Sequence, residues 1–577
     1  MDLLFKYLSR DFFAKRTMVA ILSLIIIFTS FMYFFVHFAI DANLLRLGGE
    51  QLSGNEANYF TALKSNQLLI RNITVAMVAI FSLILFLFIR GTLQRNRVQL
   101  AQLMSLGFSF SSVLASYALL ICGLSLISSL IGLVLGFWGS DILLSANSQT
   151  YLVQGLSKGL SLQSVMTGIL FLSLFLGALT YLAGLTVRKT DLALMMKQTD
   201  GKSIRPGLME KLIQKLPMKH KFKFKLTLNH FSTLGLLLIA IVTFSIMFVL
   251  SLSLTFSSSK ILESQREGRH YSYEVSYDNY RKEEAESASD SDSVTYLRYD
   301  VDLKIKGEAI AYQALSLTSQ NDLFQLIGSK GEILDPTQGV FVNPELRENY
   351  GLKVGDTLEL RVKGKRHLIK IAGFAENADL KTIYIPKDQA SAMVDETHDI
   401  FNGRLTNKPQ EKGEGKVRSL EEKLSAVQRS QTANKASAII NQSIGVITGC
   451  LLIYLAVFIG LNGNMKTLLM FDLLGYEERE VYRILLNPYI VISNLLFLLT
   501  LPVAIYAARN VQIMTSLQTG DYMPFQLNWI TFVYMFVILN ALCFIIRFLF
   551  IQKVKKSGMI IGRQNSYQNG EKQHEDF

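Results

Sequence analysis

Cysteine is scarce in this 577-residue chain, and the three that occur, Cys122, Cys450 and Cys543, all lie inside apolar runs. None falls in the long polar segment, so no disulfide framework is implied. The seven histidines are scattered, with neither an H-E-x-x-H pair nor a Cys/His cluster, and a metal site is unsupported. A phosphate-binding loop is missing as well. The G-K-S at Gly201–Ser203 follows no strand and has Met196 where the first glycine of such a loop would stand. Charge is absent over long stretches: Met18–Ile40 holds no Lys, Arg, Asp or Glu. The net charge of +12 would suggest nucleic acid in a soluble chain, but the basic residues cluster in segments that belong to one face of a bilayer, and no nucleic-acid partner is expected.

Half of the residues are hydrophobic, which points to a membrane protein. Apolar runs predict eight spans, near Met18–Ile40, Ile70–Ile89, Val113–Phe137, Ser164–Val187, Ser232–Phe256, Ala438–Leu461, Pro488–Ala508 and Trp529–Ile551. The first is too long for a signal-peptide core and lacks a small-x-small cleavage site, so an uncleaved span is expected. His37, near its outer end, reads as an interfacial residue. Pro488 and Pro502 are expected to kink the seventh span, and Arg547 to snorkel from the eighth.

Lys6, Arg10, Lys15, Arg16, the Arg90/Arg95/Arg97 group, the basic linker and Lys553, Lys555 and Lys556 fall on one side, which the positive-inside rule makes cytoplasmic. Both termini are then cytoplasmic, and 257–437 is extracytoplasmic. The expected division is 1–190 as a first membrane unit of four spans with a reduced outer loop at 41–69, and 191–231 as a basic cytoplasmic linker. Next come 232–256 as the fifth span, 257–437 as a domain with stalks, 438–551 as three further spans, and 552–577 as a polar, disordered cytoplasmic tail. The fold class is thus an α-helical polytopic membrane protein with eight transmembrane helices and one α+β extracytoplasmic domain between spans five and six. KHKFKFK at Lys219–Lys225 reads as an ordinary basic membrane-surface stretch, and Glu283–Asp292 as a solvated acidic loop.

Within the outer segment, Ser257–Arg269 and Ser419–Lys435 read as helical stalks. Tyr271–Tyr277 and Val294–Ile305 read as strands, and Leu358–Val362 and Leu368–Ile371 as a hairpin around Lys363–Arg366. Val340–Phe374 reads as strand, short helix, turn, strand, turn, strand, with Gly351 and Gly355 suited to positive φ.

The most informative stretch is Leu93–Gly107, LQRNRVQLAQLMSLG, a polar connection between two apolar runs. Val98, Leu100, Leu103, Met104 and Leu106 fall near helical spacing, and Gly107 ends the pattern. Leu103–Phe108, LMSLGF, is echoed by Phe471–Tyr476, FDLLGY, again between two apolar runs. The lead-ins Phe5–Phe13 and Phe224–Phe231 also resemble each other, so the spans group as one plus three, twice.

These connections, with Arg95, Arg97, Leu103, Leu106 and Gly107 in one copy and Leu473, Leu474 and Gly475 in the other, resemble those of FtsX/MacB-type ABC transporter permeases. The passage NPELRENYGLKVGDTLEL resembles the periplasmic core of MacB-like members. Departures are clear: MacB-like permeases have four spans and a fused ATPase, and BceB-like permeases have ten spans with a later domain. The resemblance implies a non-catalytic permease subunit, with no cofactor of its own and with ATP and Mg bound by a separate cytoplasmic ABC ATPase dimer. The ATPase would dock on coupling elements formed by Arg95, Arg97, Leu103, Leu106 and Gly107, and by Asp472, Leu473, Gly475, Glu477 and Arg479. Mechanical movement of the outer domain would export or extract a peptide, lipid or envelope-associated substrate. A second permease subunit and membrane lipids are further expected partners. The competing reading is a membrane sensor or scaffold that reports an outside ligand or regulates a cell-wall enzyme. A membrane-embedded enzyme would need convergent polar residues within the spans, which the sequence does not suggest.

Overall fold

The computed structural model describes all residues except 1, 15, 49–53, 96, 152, 187–230, 283–291, 306, 318–321, 395–399, 409–414, 464–469, 472–473, 475–477, 520–521 and 573–577. The KHKFKFK run, the basic linker, Gly201–Ser203, the second lead-in before Phe231 and nearly all of the acidic loop lie outside the described residues. Two compact units are distinguished: 1–249 with 440–508 and 528–577, and 250–439 with 509–527.

The first unit is helical. It contains α1 (Asp2–Ala14), α2 (Arg16–Leu47), α3 (Gly54–Arg95), α4 (Arg97–Ser105), α5 (Phe110–Tyr151) and α6 (Leu162–Leu185). It also holds most of α7 (Phe231–Ser264) and parts of three helices met below. Seven helices among the described residues are long and apolar enough to cross a membrane; Met77–Leu93 with Val98–Ser105 makes an eighth only if that pair, bent by 67°, is one span. Many outward side chains here are large and apolar, such as Leu119, Ile127, Leu498, Val503 and Phe548. Only lipid makes such a surface stable, so this is a multi-pass membrane protein.

Helices outrun the apolar runs that announce them. The segment expected as a reduced outer loop at 41–69, and the segment 138–163 between the third and fourth apolar runs, are mostly helical: α2 reaches Leu47, α3 begins at Gly54 and α5 continues to Tyr151. Hydropathy marks where lipid ends, whereas backbone hydrogen bonding continues until a breaker intervenes. Between α5 and α6 the extended segment 153–161 is that interruption. The second turn of α6, Met166–Phe171, is a π-helix. The longest close crossing joins α2 and α5. A Cβ on Gly132 would lie 2.6 Å from Ser30 Cβ, and one on Gly136 2.7 Å from Phe34 Cβ. Gly139 likewise faces the Phe31 and Phe35 rings. Small residues four apart let two backbones touch.

The second unit is built on β1 (Tyr273–Lys282), β2 (Ser293–Ile305), β3 (Glu308–Leu317), β4 (Leu326–Ile327), β5 (Ile333–Leu334) and β6 (Val340–Val342). There follow α8 (Glu345–Tyr350), β7 (Thr357–Val362), β8 (Lys365–Phe374), β9 (Thr382–Tyr384), α9 (Lys387–Met393), β10 (Ile400–Thr406) and β11 (Lys416–Ser419). The main sheet runs β11-β1-β10-β2-β3-β9-β6-β8-β7. A further pairing of β2 with β7, at Asp302–Lys304 against Glu359–Arg361, closes β2-β3-β9-β6-β8-β7 into a ring. Val301, Leu303 and Ile305 alternate inward and meet Val342, Leu358, Leu360 and Ile383, while α8 adds Leu346. The hairpin turn is Lys363–Gly364, both at positive φ, as a tight two-residue turn requires. Gly351 and Gly355 also take positive φ.

Chain leaves the sheet through α10 (Leu420–Gly463), then α11 (Glu478–Thr519) and α12 (Trp529–Lys572). Pro488 and Pro502 sit inside an uninterrupted α11. The tail expected to be disordered is helical to Lys572; no proline falls between Gln552 and Lys572 to stop it.

Candidate functional site

The predicted connection folds as a separate short helix. After the bend that ends α3, α4 closes in a complete C-terminal motif: Phe108 N–H donates to Leu103 C=O at 3.2 Å and Gly107 N–H to Met104 C=O at 3.1 Å. Gly107, at φ +92°, makes that reversal possible without Cβ strain. Leu100 and Ala101 are buried, Leu103 and Met104 partly so. Leu106 departs from the expected apolar face: it is 74% exposed, because the capping turn swings it off the helix. Arg95 ends α3 and Arg97 begins α4. In the second copy, Asp472, Leu473, Gly475 and Glu477 lie outside the described residues, and Arg479 is in the first turn of α11. Leu474, the counterpart of Leu106, is also largely exposed, and its N–H donates to Met470 C=O at 3.1 Å.

A second constellation was not foreseen. It lies where the stalks meet the sheet. α7 ends at Ser264, and Arg269 follows in the turn after it with a fully buried side chain. Its Nη2 donates to Asp379 Oδ1 at 2.9 Å, to Asn377 C=O at 2.9 Å and to Gln265 Oε1 at 3.3 Å. Its Nη1 donates to Ser264 C=O at 3.0 Å. The other stalk, α10, starts with a capping box: Glu422 N–H donates to Ser419 Oγ and Ser419 N–H to Glu422 Oε2. One residue later, Lys423 Nζ donates to Asp379 Oδ2 at 3.1 Å and lies 3.6 Å from Glu274. Each oxygen of Asp379 therefore holds one stalk. Glu274 is further engaged by Arg298 at 2.8 Å and by the Tyr296 hydroxyl at 3.0 Å. A neighbouring chain of charge runs from Lys260 on α7 to Glu376 at 3.2 Å and on to Arg347 of α8 at 3.0 Å. Asn349 of α8 donates to Ser516 near the end of α11 at 2.9 Å.

Burial alone would raise the Asp379 carboxyl pKa, but Lys423, then Arg269 and Arg298, outweigh it and hold the group far below the usual carboxylate range. Glu274 is lowered on the same balance, with burial opposed by Lys423 and Arg298. Lys423 is raised: burial would lower it, and Asp379 more than compensates. The cluster is ionised throughout the neutral range.

A third polar centre corrects the expectation for His37. This residue is buried, and its Nδ1 lies 2.9 Å from Asp41 Oδ1 and 3.0 Å from Ser164 Oγ. Ser161 donates to Asp41 Oδ2 through both N–H and Oγ, each at 2.9 Å. His37 and Asp41 stand four apart on one helix face, and burying the acid next to the imidazole satisfies both. Aspartate and serine share one ring nitrogen here. A nucleophile relay needs them on opposite nitrogens, and this centre does not have that arrangement.

Residues 443–559 match the FtsX-like permease C-terminal family. That match, over about a fifth of the chain, supports a permease-type subunit of the ABC transporter class; members of that family are generally non-catalytic and normally work with a cytoplasmic ABC ATPase. Comparison with curated proteins gives no match. The FtsX-like segment takes in the end of α10, all of α11 and most of α12.

Proposed function

We propose that this permease transmits force rather than forming a passage. A separate cytoplasmic ATPase dimer, carrying the ATP and Mg, pushes on α4 with its capping turn and on the second copy at Phe471–Arg479. Both termini are cytoplasmic, and the sheet domain, at 257–437, is extracytoplasmic. Nucleotide-driven movement reaches that domain along α7 and α10 and does work on a peptide, lipid or envelope-associated substrate. The chain's two one-plus-three groups act as related halves, alone or beside a second permease.

The observation that carries this reading is Asp379, whose two oxygens are each bonded to a different stalk. Relative movement of α7 and α10 is felt at one carboxylate on the sheet. Leu106 and Leu474, at matched places in the two copies, are both largely exposed, which leaves them accessible to a docking partner.

The test is a mild-detergent pull-down of the tagged chain from native membranes, with ATPase activity assayed on the eluate. The native chain is expected to retain a nucleotide-binding subunit, and a Leu106→Asp, Leu474→Asp double variant to lose it by at least about tenfold. Full ATPase recovery with a folded double variant would overturn the coupling assignment.

A further inference from the structure

We propose that a cleft between α10, α11 and α12 holds the phosphate group of an anionic phospholipid, with Arg547 as its cation and Ser493 as a neutral donor. The leaflet, though not the site, rests on the orientation given above, which makes it the cytoplasmic one.

The cleft is narrow and is walled by Val457, Tyr489, Ser493, Cys543 and Arg547, with isoleucines between them. Arg547 lies within the apolar span Trp529–Gln552 and makes no ion pair or hydrogen bond among the described residues. A guanidinium left alone in that setting is costly, and such residues mark pathways or binding sites. Ser493 and Tyr489 are 1% and 3% exposed, and among the described residues neither hydroxyl has a nitrogen or oxygen partner, Ser493 lying beside the Cys543 thiol. Ser493 is one of several buried hydroxyls on the apolar helices without such a partner, Ser125, Ser129 and Ser245 among them, and it differs in this from Thr29, Ser82, Ser116, Thr180 and Thr243. Each of those returns its hydroxyl to the carbonyl four residues back, the usual solution for a hydroxyl on an apolar helix. A charge and two buried hydroxyls without nitrogen or oxygen partners thus converge on one cleft.

Depth and surroundings choose the ligand. At 1.5 Å per residue, Arg547 lies about 7.5 Å along its helix from Gln552, and Tyr489 about 4.5 Å from Leu486, the first residue of its span. Val457 is as near the end of its own span at Gly460. All three helices meet the cleft about one turn inside the span ends, where a headgroup phosphate comes within reach of an arginine side chain. The flanking residues Val491, Phe544, Ile545 and Phe548 are exposed and apolar, so the approach is through acyl chains. The guanidinium fork suits two phosphate oxygens. An inorganic phosphate offers the same oxygens, but no apolar tail to lie against these flanks.

The full chain, purified in mild detergent, would be exposed to phosphatidylglycerol, to phosphatidylcholine or to inorganic phosphate, and retained adducts counted by native mass spectrometry. Phosphatidylglycerol is expected to survive activation that strips phosphatidylcholine. Arg547→Gln should weaken retention about tenfold and Ser493→Ala about threefold, with elution and melting unchanged. Arg547→Gln removes a buried charge and is compatible with folding; should it aggregate, Ser493→Ala decides alone. Native-like retention in the deciding variant overturns the site. Displacement of phosphatidylglycerol by inorganic phosphate overturns the lipid and leaves a free-anion site. ATPase recovery is read from the same eluates, so loss of lipid with ATPase retained separates this site from the coupling reading.

Discussion

Two aspartates in this molecule do opposite things with the same geometry. Asp41 and Asp379 each use their two carboxylate oxygens for two different partners. Asp41 ties α2 to the segment that enters α6, through His37 on its own helix and the backbone and hydroxyl of Ser161. Asp379 ties the sheet to two stalks, through Arg269 and Lys423. Hydrogen bonds to a backbone N–H and a short hydroxyl weaken steeply with distance and angle. Attraction to cations on long side chains falls only inversely with distance. The first arrangement holds one geometry; the second keeps its grip while its partners shift. If the stalks transmit movement as proposed, these are the two solutions that a fixed membrane contact and a moving junction would need.

The sharpest way to break the comparison is Asp379→Asn. It leaves the buried Arg269 guanidinium without its counter-charge, a change that costs about 3–5 kcal/mol where a buried pair is broken from one side. The thermal transition of the sheet unit should fall markedly in the purified full chain, with new proteolytic cuts near Ser264 and Ser419. An unchanged transition would show that Asn377 and Gln265 suffice to hold Arg269.

Acid should produce a smaller version of the same loss. Asp379 and Glu274 have folded pKa values held below their unfolded ones. Their contribution is therefore complete above the unfolded values of about 4 and is lost as pH falls through the folded values. Denaturant midpoints measured from neutral pH down to about 3 should decline in the native chain and flatten in Asp379→Asn. Parallel profiles for the two chains would rule Asp379 out as the titrating group.

The smallest effect belongs to the anchor. Ser161→Ala removes one hydroxyl bond to Asp41 and the cap that Ser161 Oγ provides to Ser164 N–H, while the Ser161 N–H bond survives. About 1 kcal/mol is expected, read as a modest drop in the melting temperature of the membrane unit. A loss as large as that of Asp379→Asn would erase the distinction between the two aspartates.

Local signals were legible in the sequence where one short segment carried the whole cause. Apolar runs placed the long helices, Lys363–Arg366 placed the hairpin though the turn itself is only Lys363–Gly364, and Gly107 placed the end of α4. The stalk junction was not legible, because Arg269, Asp379 and Lys423 are far apart in sequence and only closure of the sheet brings them together. Asp379 reads as one more polar residue in a turn. His37 and Asp41 were a missed opportunity: their four-residue spacing was visible, but an acid just past an apolar run looks interfacial until Ser161 and Ser164 are seen to cover it. The sheet ring was equally hidden, since the β2–β7 pairing joins strands more than fifty residues apart.

The glycines of α5 set how load can spread. With Gly132 and Gly136 pressed to α2 nearly backbone to backbone and Gly139 against the Phe31 and Phe35 rings, the two helices have little side-chain layer in which to slip, and any sliding would drive Ser30 and Phe34 into main-chain atoms. They form a single beam. Since α4 leads directly into α5, a push on α4 of the kind proposed above would tilt that beam whole, and compliance would have to be sought elsewhere in the half, at the bend after α3 or the π turn of α6.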